Sequence, residues 1–133
     1  MKKMLLQFFI VPAIIFGIGS CSDKGDDDET TLAVTLNPPA GSTQPAAPQI
    51  DFPLTVSITS AMPPQGVTID VKAAPDGSTT NFFTESKSST TADNNFTITG
   101  TPTGVVCVTT VTVTSKTKAT NTVTLSYRYT RKP

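Results

Sequence analysis

The stretch "VTLSYRYT", residues 123–130, has the most regular alternation in the chain. Val123, Leu125, Tyr127 and Tyr129 hold every second position, and polar side chains hold the positions between them. Successive side chains of a β-strand point to opposite faces of a sheet. The stretch therefore predicts a strand with one face in an apolar core and the other in water, and it predicts that both tyrosines pack in that core.

Similar alternation recurs after residue 31, and no window there has the 3.6-residue period of a helix. Proline, glycine and serine separate the alternating runs, as they commonly do between strands. The other predicted strands cover residues 32–36, 54–59, 67–72, 96–99 and 105–114. The first half of the last run, "VVCVTT", loses the alternation, which predicts a β-bulge.

About seven strands, with turn signals roughly every ten to fifteen residues, predict an all-β fold and a single β-sandwich. In this spacing residues 32–133 resemble immunoglobulin-like domains, although they contain neither the buried tryptophan nor the cysteine pair of antibody domains. An up-and-down barrel is the alternative, but the long connection at 37–49 is less typical of it.

The chain has two cysteines, Cys21 and Cys107. If Cys21 is modified at a cleavage site, Cys107 has no partner and the domain contains no disulfide. We therefore expect Cys107 to be a small buried apolar residue, and the fold to depend on its core alone.

The first twenty residues differ from the rest of the chain. Lys2 and Lys3 are followed by an uncharged, mostly apolar run that ends in small residues near Ser20. This is the layout of a secretory signal, so we predict a signal peptide over residues 1–20. The alternative is a transmembrane anchor, which needs roughly 20 apolar residues and fits this shorter, proline-containing run less well.

Ile18-Gly19-Ser20-Cys21 resembles the lipobox of bacterial lipoproteins. The resemblance implies that the Cys21 thiol carries diacylglycerol and that cleavage occurs just before Cys21. Two or three acyl chains give a stable membrane anchor, whereas one binds marginally. The membrane is thus the first expected partner, reached through Cys21.

An acidic segment follows this cysteine directly, and residues 21–31 are predicted to be a flexible tether. Its charged side chains are Asp23, Lys24, Asp26, Asp27, Asp28 and Glu29. The segment resembles the acidic export signal of lipoproteins in Bacteroidota. The resemblance implies lipid anchoring in the outer membrane with the domain exposed at the cell surface. A domain that faces the periplasm is the alternative.

The composition excludes several classes of function. Without histidine, the chain has neither Ser-His-Asp nor Cys-His catalysis, nor a histidine-ligated metal. No glycine-rich phosphate loop is present, and the acids after residue 30 are scattered. Seven basic and five acidic side chains after residue 30 are too balanced for a nucleic-acid interface. We therefore expect no enzymatic activity, no cofactor, no metal and no nucleic-acid partner.

Asn81-Phe82-Phe83 holds the candidate ligand contacts. Adjacent side chains of a strand face opposite ways, so one of Phe82 and Phe83 is predicted outside the core, where an aromatic ring suits a glycan or a protein. Alternatively, the segment is a loop or edge strand folded over the core. The expected function is a non-catalytic module that binds a glycan or a surface protein. A structural subunit or stalk of a larger surface assembly, with no ligand of its own, is the other hypothesis.

Overall fold

Seven β-strands form two antiparallel sheets in the computed structural model, which describes residues 29–133. The strands are β1 (Val34–Asn37), β2 (Phe52–Ile58), β3 (Val67–Pro75), β4 (Phe83–Ser89), β5 (Asp93–Ile98), β6 (Val106–Ser115) and β7 (Thr122–Thr130). One sheet has the order β1-β2-β5 and the other the order β4-β3-β6-β7. The predicted all-β sandwich is confirmed, and two separate sheets exclude the barrel.

The connections of this sandwich can be compared with those of immunoglobulin domains. β3 and β4 form one hairpin and β6 and β7 another, whereas the chain passes between the sheets from β2 to β3, from β4 to β5 and from β5 to β6. In constant-type immunoglobulin domains the fourth strand joins the first, second and fifth. Here β4 pairs with β3 instead, which leaves β5 at the edge of the three-stranded sheet.

The core lies between the two sheets and is built from every second side chain of the strands. β5 shows this most clearly, because Asn94, Phe96 and Ile98 are buried while their neighbours are exposed. Burying one Val, Leu, Ile or Phe side chain contributes about 1.5–3 kcal/mol. The buried apolar residues are Leu32, Leu36, Phe52, Leu54, Val56, Ile58, Val67, Ile69, Val71, Ala73, Phe96, Ile98, Cys107, Val111, Val113, Tyr127 and Tyr129.

The predicted bulge in β6 is wrong. β6 pairs with β7 in one unbroken register, from Val106 opposite Thr130 to Thr114 opposite Thr122, and its pairing with β3 is equally regular. The alternation was hidden because Thr109 occupies a core position while Val106 is exposed.

The connections gather at two opposite ends of the sandwich. β6 ends and β7 begins at the end where Glu29 enters, which we call the N-terminal end. The β2–β3 connection also lies there. It requires glycine at position 66, because the φ angle is +84° and a Cβ atom would lie 2.5 Å from the Ser89 carbonyl oxygen. β2 begins at the distal end, where the β3–β4 and β5–β6 connections also lie.

Candidate ligand-binding site

The connection from β1 to β2 closes one side of the sandwich. After a cis peptide bond between Asn37 and Pro38, the chain leaves the three-stranded sheet and runs parallel to β7 over residues 41–47, here named the covering segment. The backbone amide of Gln44 donates to the carbonyl oxygen of Arg128 at 2.8 Å, and the backbone amide of Arg128 donates to the carbonyl oxygen of Ser42 at 2.9 Å. The covering segment thereby satisfies backbone groups along the second half of β7, which would otherwise form an open edge.

Three aromatic rings lie beneath this connection. The rings of Phe52 and Tyr129 have centroids 4.7 Å apart and are tilted by 53°, and Tyr127 lies 6.0 Å from Tyr129. The Tyr129 hydroxyl shares a 2.9 Å hydrogen bond with the buried hydroxyl of Thr101. β2 supplies the phenylalanine and β7 the tyrosines, so the cluster joins the two sheets at this side.

A cleft of about 220 Å³ remains between the rings and the connection above them, and we call it the β7 cleft. Its lining consists of Pro38, Gln44, Pro45, Ala47, Gln49, Phe52, Pro53, Tyr127 and Tyr129. None of these side chains carries a charge at neutral pH. The cleft is smaller than the roughly 300–1,000 Å³ of sites that enclose drug-sized ligands, so it suits a single ring or a group of that size.

The tyrosines stay protonated over the whole physiological range. Burial raises the pKa of Tyr129 to about 12, and the hydrogen bond to Thr101 offsets only part of this rise. Burial likewise raises the pKa of Tyr127, against a smaller lowering by the nearby Thr109 hydroxyl. Neither phenol is therefore suited to act as a base, and the cleft remains neutral.

The Tyr127 hydroxyl is a buried polar group with an incomplete hydrogen-bond environment. It lies near the buried Thr109 hydroxyl, but neither oxygen makes a hydrogen bond of good geometry to any residue within 29–133. Leaving such a group unpaired typically costs about 1–3 kcal/mol. The two tyrosines therefore differ, since only the Tyr129 hydroxyl has a well-placed partner.

Phe82 and Phe83, the predicted ligand contacts, lie outside the β7 cleft. Both are half-buried and pack against the core. The Phe82 amide donates to the Ala73 carbonyl at 2.9 Å, and a Cβ on Gly100 would lie 4.0 Å from the ring of Phe82. Neither ring projects freely into water, so a ligand would reach only their outer edges. Their role as contacts stays a prediction.

The distal end carries the most exposed large apolar side chains of residues 29–133. Ile50 is 64% exposed, Val105 43% and Val106 41%. Ile50 precedes β2, and the two valines lie at the start of β6, so all three are at the end opposite to Glu29. Arg128 and Asp76 form an exposed ion pair near the same end, with 3.2 Å between nitrogen and oxygen.

Cys107 is fully buried, as expected of a small core residue. Burial raises the pKa of its thiol, which favours the unreactive protonated form. Within residues 29–133 no three Cys, Asp or Glu side chains come together in a way that could hold a metal ion.

Cys21 and the acidic residues up to Asp28 lie outside the described part of the chain, so the predicted lipid site and most of the export signal do too. Glu29 is described, and its carboxylate is held by the folded domain. It accepts hydrogen bonds from the Ser115 hydroxyl at 2.9 Å and from the Asn121 side-chain amide at 3.0 Å. Among the described residues, contacts with the folded domain thus include Glu29, three residues before the predicted domain boundary at Leu32.

Comparison with protein-family models, with curated proteins and with solved structures found no match. Residues 29–133 also contain no helix of the length and apolarity needed to cross a membrane. The function is therefore argued from the site itself. The tyrosine positions of the β7 cleft were predicted from alternation, but the cleft was not, because nothing in the composition of residues 37–49 indicates that they pair with β7.

Proposed function

We propose that this protein is a lipid-anchored, non-catalytic binding module of a bacterial outer membrane, which presents a small β-sandwich to a ligand at the cell surface. In this proposal Cys21 carries the lipid and the acidic residues after it form the spacer and export signal. The ligand is a glycan or a surface protein.

The observation that carries the proposal is the difference between the two ends of the domain. The chain enters at the N-terminal end, where Glu29 is held by Ser115 and Asn121. Ile50, Val105 and Val106, which are exposed, lie at the distal end. A domain tethered at one end directs its other end away from the membrane, so its most exposed large apolar side chains face outward, where a partner can reach them.

The chemistry of the described residues supports a binding role over a catalytic one. The buried tyrosine and cysteine side chains have raised pKa values, so none of them is activated as a base or a nucleophile. A neutral cleft lined by aromatic rings and amides fits recognition of a ligand.

Lipid labelling with matched cysteine variants tests the anchor. We expect a fatty-acid label on the wild-type protein, its loss in Cys21→Ser, and its retention in Cys107→Ala, which removes the other cysteine. Label that depends on Cys107, or no label at all, would contradict the anchor.

Protease treatment of intact cells tests the orientation. Digestion before lysis supports surface exposure, whereas protection until lysis places the domain in the periplasm and overturns that part of the proposal. Purification from solubilised membranes then separates the two functional hypotheses. A fixed stoichiometric protein complex with no separable ligand would favour the structural subunit.

A further inference from the structure

We propose that the β7 cleft is a subsite for one uncharged sugar ring of a glycan. This inference rests on the proposed binding function and deepens it by naming the site and the ligand class. The cleft lies along the side of the domain, between the covering segment and β7, and not at Phe82 or Phe83.

The charge of the cleft selects a neutral ligand. No Lys, Arg, Asp or Glu side chain lines it, and both of its phenols are protonated at neutral pH, since burial raises their pKa values further above an already high ordinary value. An ionised ligand would lose hydration there without gaining an opposite charge. Phosphorylated groups, uronic acids and amines are therefore poor occupants.

The two glutamines suit a ligand that both donates and accepts hydrogen bonds. The Gln44 amide nitrogen donates to the Ser42 hydroxyl at 2.9 Å, and the Gln49 amide nitrogen donates to the Asp51 carbonyl at 3.1 Å. Each side-chain carbonyl oxygen is left without a hydrogen-bond donor from residues 29–133. Each amide nitrogen also keeps a second N–H, so each side chain presents one acceptor and one donor. Two such amides in one small cleft match a ring whose several hydroxyl groups both donate and accept hydrogen bonds.

The remaining lining suits the apolar faces of such a ring. Three prolines, Ala47 and the small accessible parts of three nearly buried aromatic rings line it. Apolar and aromatic walls with a few placed polar groups are typical of small-ligand sites. A sugar ring combines C–H faces with a hydroxyl rim, so it can meet both parts of this lining at once.

A proline-rich peptide is the competing occupant and fits less well. Its prolyl residues have no N–H group, so it offers few donors to Gln44 and Gln49. The aromatic grooves that bind polyproline helices hold several residues in a row. The β7 cleft has room for about one ring, which a glycan can fill while the rest of its chain stays in water.

Affinity electrophoresis of the full-length lipidated protein tests the proposal. The protein is solubilised in a polyoxyethylene detergent, because a detergent with a sugar head group would compete. Native gels contain a neutral glucan, a mannan, a galactan or a uronic-acid polysaccharide. We expect retardation by at least one neutral polysaccharide, reversal by its monosaccharide, and a change in tyrosine fluorescence when that monosaccharide is added.

The variant Gln44→Met/Gln49→Met removes both acceptors and keeps similar side-chain lengths. We expect it to bind about tenfold more weakly or worse, a loss of about 1.4 kcal/mol or more, because both side-chain amides lose their hydrogen bonds to the ligand. The control Gln65→Met changes an exposed glutamine at the N-terminal end and should bind as the wild type does. Circular dichroism establishes that both variants are folded.

Four outcomes would overturn the inference: no neutral polysaccharide retards the wild type, only the uronic-acid polymer does, the double variant binds undiminished, or a proline-rich peptide binds the cleft in place of sugar. If the protein is nevertheless lipidated at Cys21, exposed on cells and purified with a separable ligand, the proposed binding function stands and only the assignment of this cleft fails.

Discussion

The two sides of the sandwich are closed in different ways. On the side where β1 and β7 meet, the covering segment pairs with β7 over a cluster of aromatic rings. On the side where β4 and β5 meet, one lysine spans the gap. The Lys87 ammonium group donates to the carbonyl of Asn95 at 3.0 Å and lies 4.4 Å from the centroid of the Phe96 ring.

The two arrangements leave different surfaces on the two sides. The crossing chain, which contains several prolines, leaves the β7 cleft beneath it. On the other side the lysine bridges β4 and β5 directly, and its charge discourages other strands from pairing with the exposed edges of these strands. Under the proposal above the first side binds a ligand, and we expect the second side to resist association with other chains.

The largest expected effect belongs to Tyr129→Ala. The ring is 2% exposed and joins the sheets through Phe52, so its removal should lower the free energy of unfolding. Truncation of a buried aromatic side chain costs about 3–5 kcal/mol. Urea denaturation followed by circular dichroism measures this loss, with Lys87→Ala as the comparison on the other side. Equal losses in both variants would contradict the contrast between a buried and a solvated closure.

The next effect separates the two tyrosines of the β7 cleft. Tyr129→Phe removes the hydrogen bond to Thr101 and leaves a buried hydroxyl unpaired, which should cost about 1–3 kcal/mol. Tyr127→Phe removes a hydroxyl that lacks a well-placed partner and should be close to neutral. Both variants keep the ring, so the difference in unfolding free energy reports the hydroxyls. A larger loss in Tyr127→Phe than in Tyr129→Phe would show that the hydrogen bonds are assigned to the wrong tyrosine.

Alternation predicted the strands that bury one face, and it failed where that contrast is weak. β7 and β2 were predicted to within about two residues at each end. β4, "FTESKSS", has no fully buried side chain, so it lacks the period-two signal and was not among the predicted strands. Only Asn81-Phe82-Phe83 at its start was interpreted, as part of a strand or alternatively as a loop or edge strand. In β6 the buried Thr109 suggested a bulge that the register does not contain.

The sequence predicted one part of the candidate site and not the other. The alternation along β7 predicts that Tyr127 and Tyr129 pack in the core, and both are buried. The covering segment reaches β7 through backbone hydrogen bonds between residues far apart in sequence. Such bonds involve groups common to nearly every residue, so residue types alone cannot indicate them.

A third prediction concerns alkaline pH. The pKa of Tyr129 is about 12 in the fold against an ordinary value of 10.0, so the folded state keeps its proton where the unfolded state releases it. The free energy of unfolding should therefore be undiminished below about pH 9 and fall as the pH rises above about 10. Urea midpoints between about pH 9 and pH 10.5 sample only the beginning of this fall, so the measured effect is modest. Tyr129→Phe should flatten the curve, and an unchanged slope would exclude Tyr129 as its source.

The smallest expected change in stability, and the most specific test of the second side, is Lys87→Met. The variant loses a cation–π contact and one hydrogen bond at a half-buried position, which should cost no more than about 1 kcal/mol. We expect a larger effect on association, because the exposed edges of β4 and β5 would then lack the positive charge of Lys87. Sedimentation velocity over a range of concentrations should detect dimers or larger species that the wild type does not form.

Lys72→Met is the matched control, since Lys72 is exposed on β3, whose two edges are already paired with β4 and β6. It makes the same chemical change without uncovering an edge and should remain at the wild-type oligomeric state. If both variants associate equally, added apolar surface is the cause and Lys87 has no special role. If only Lys87→Met associates, the charge at that position keeps the β4 and β5 edges apart from other strands, while the opposite side needs no such charge because the covering segment already occupies it.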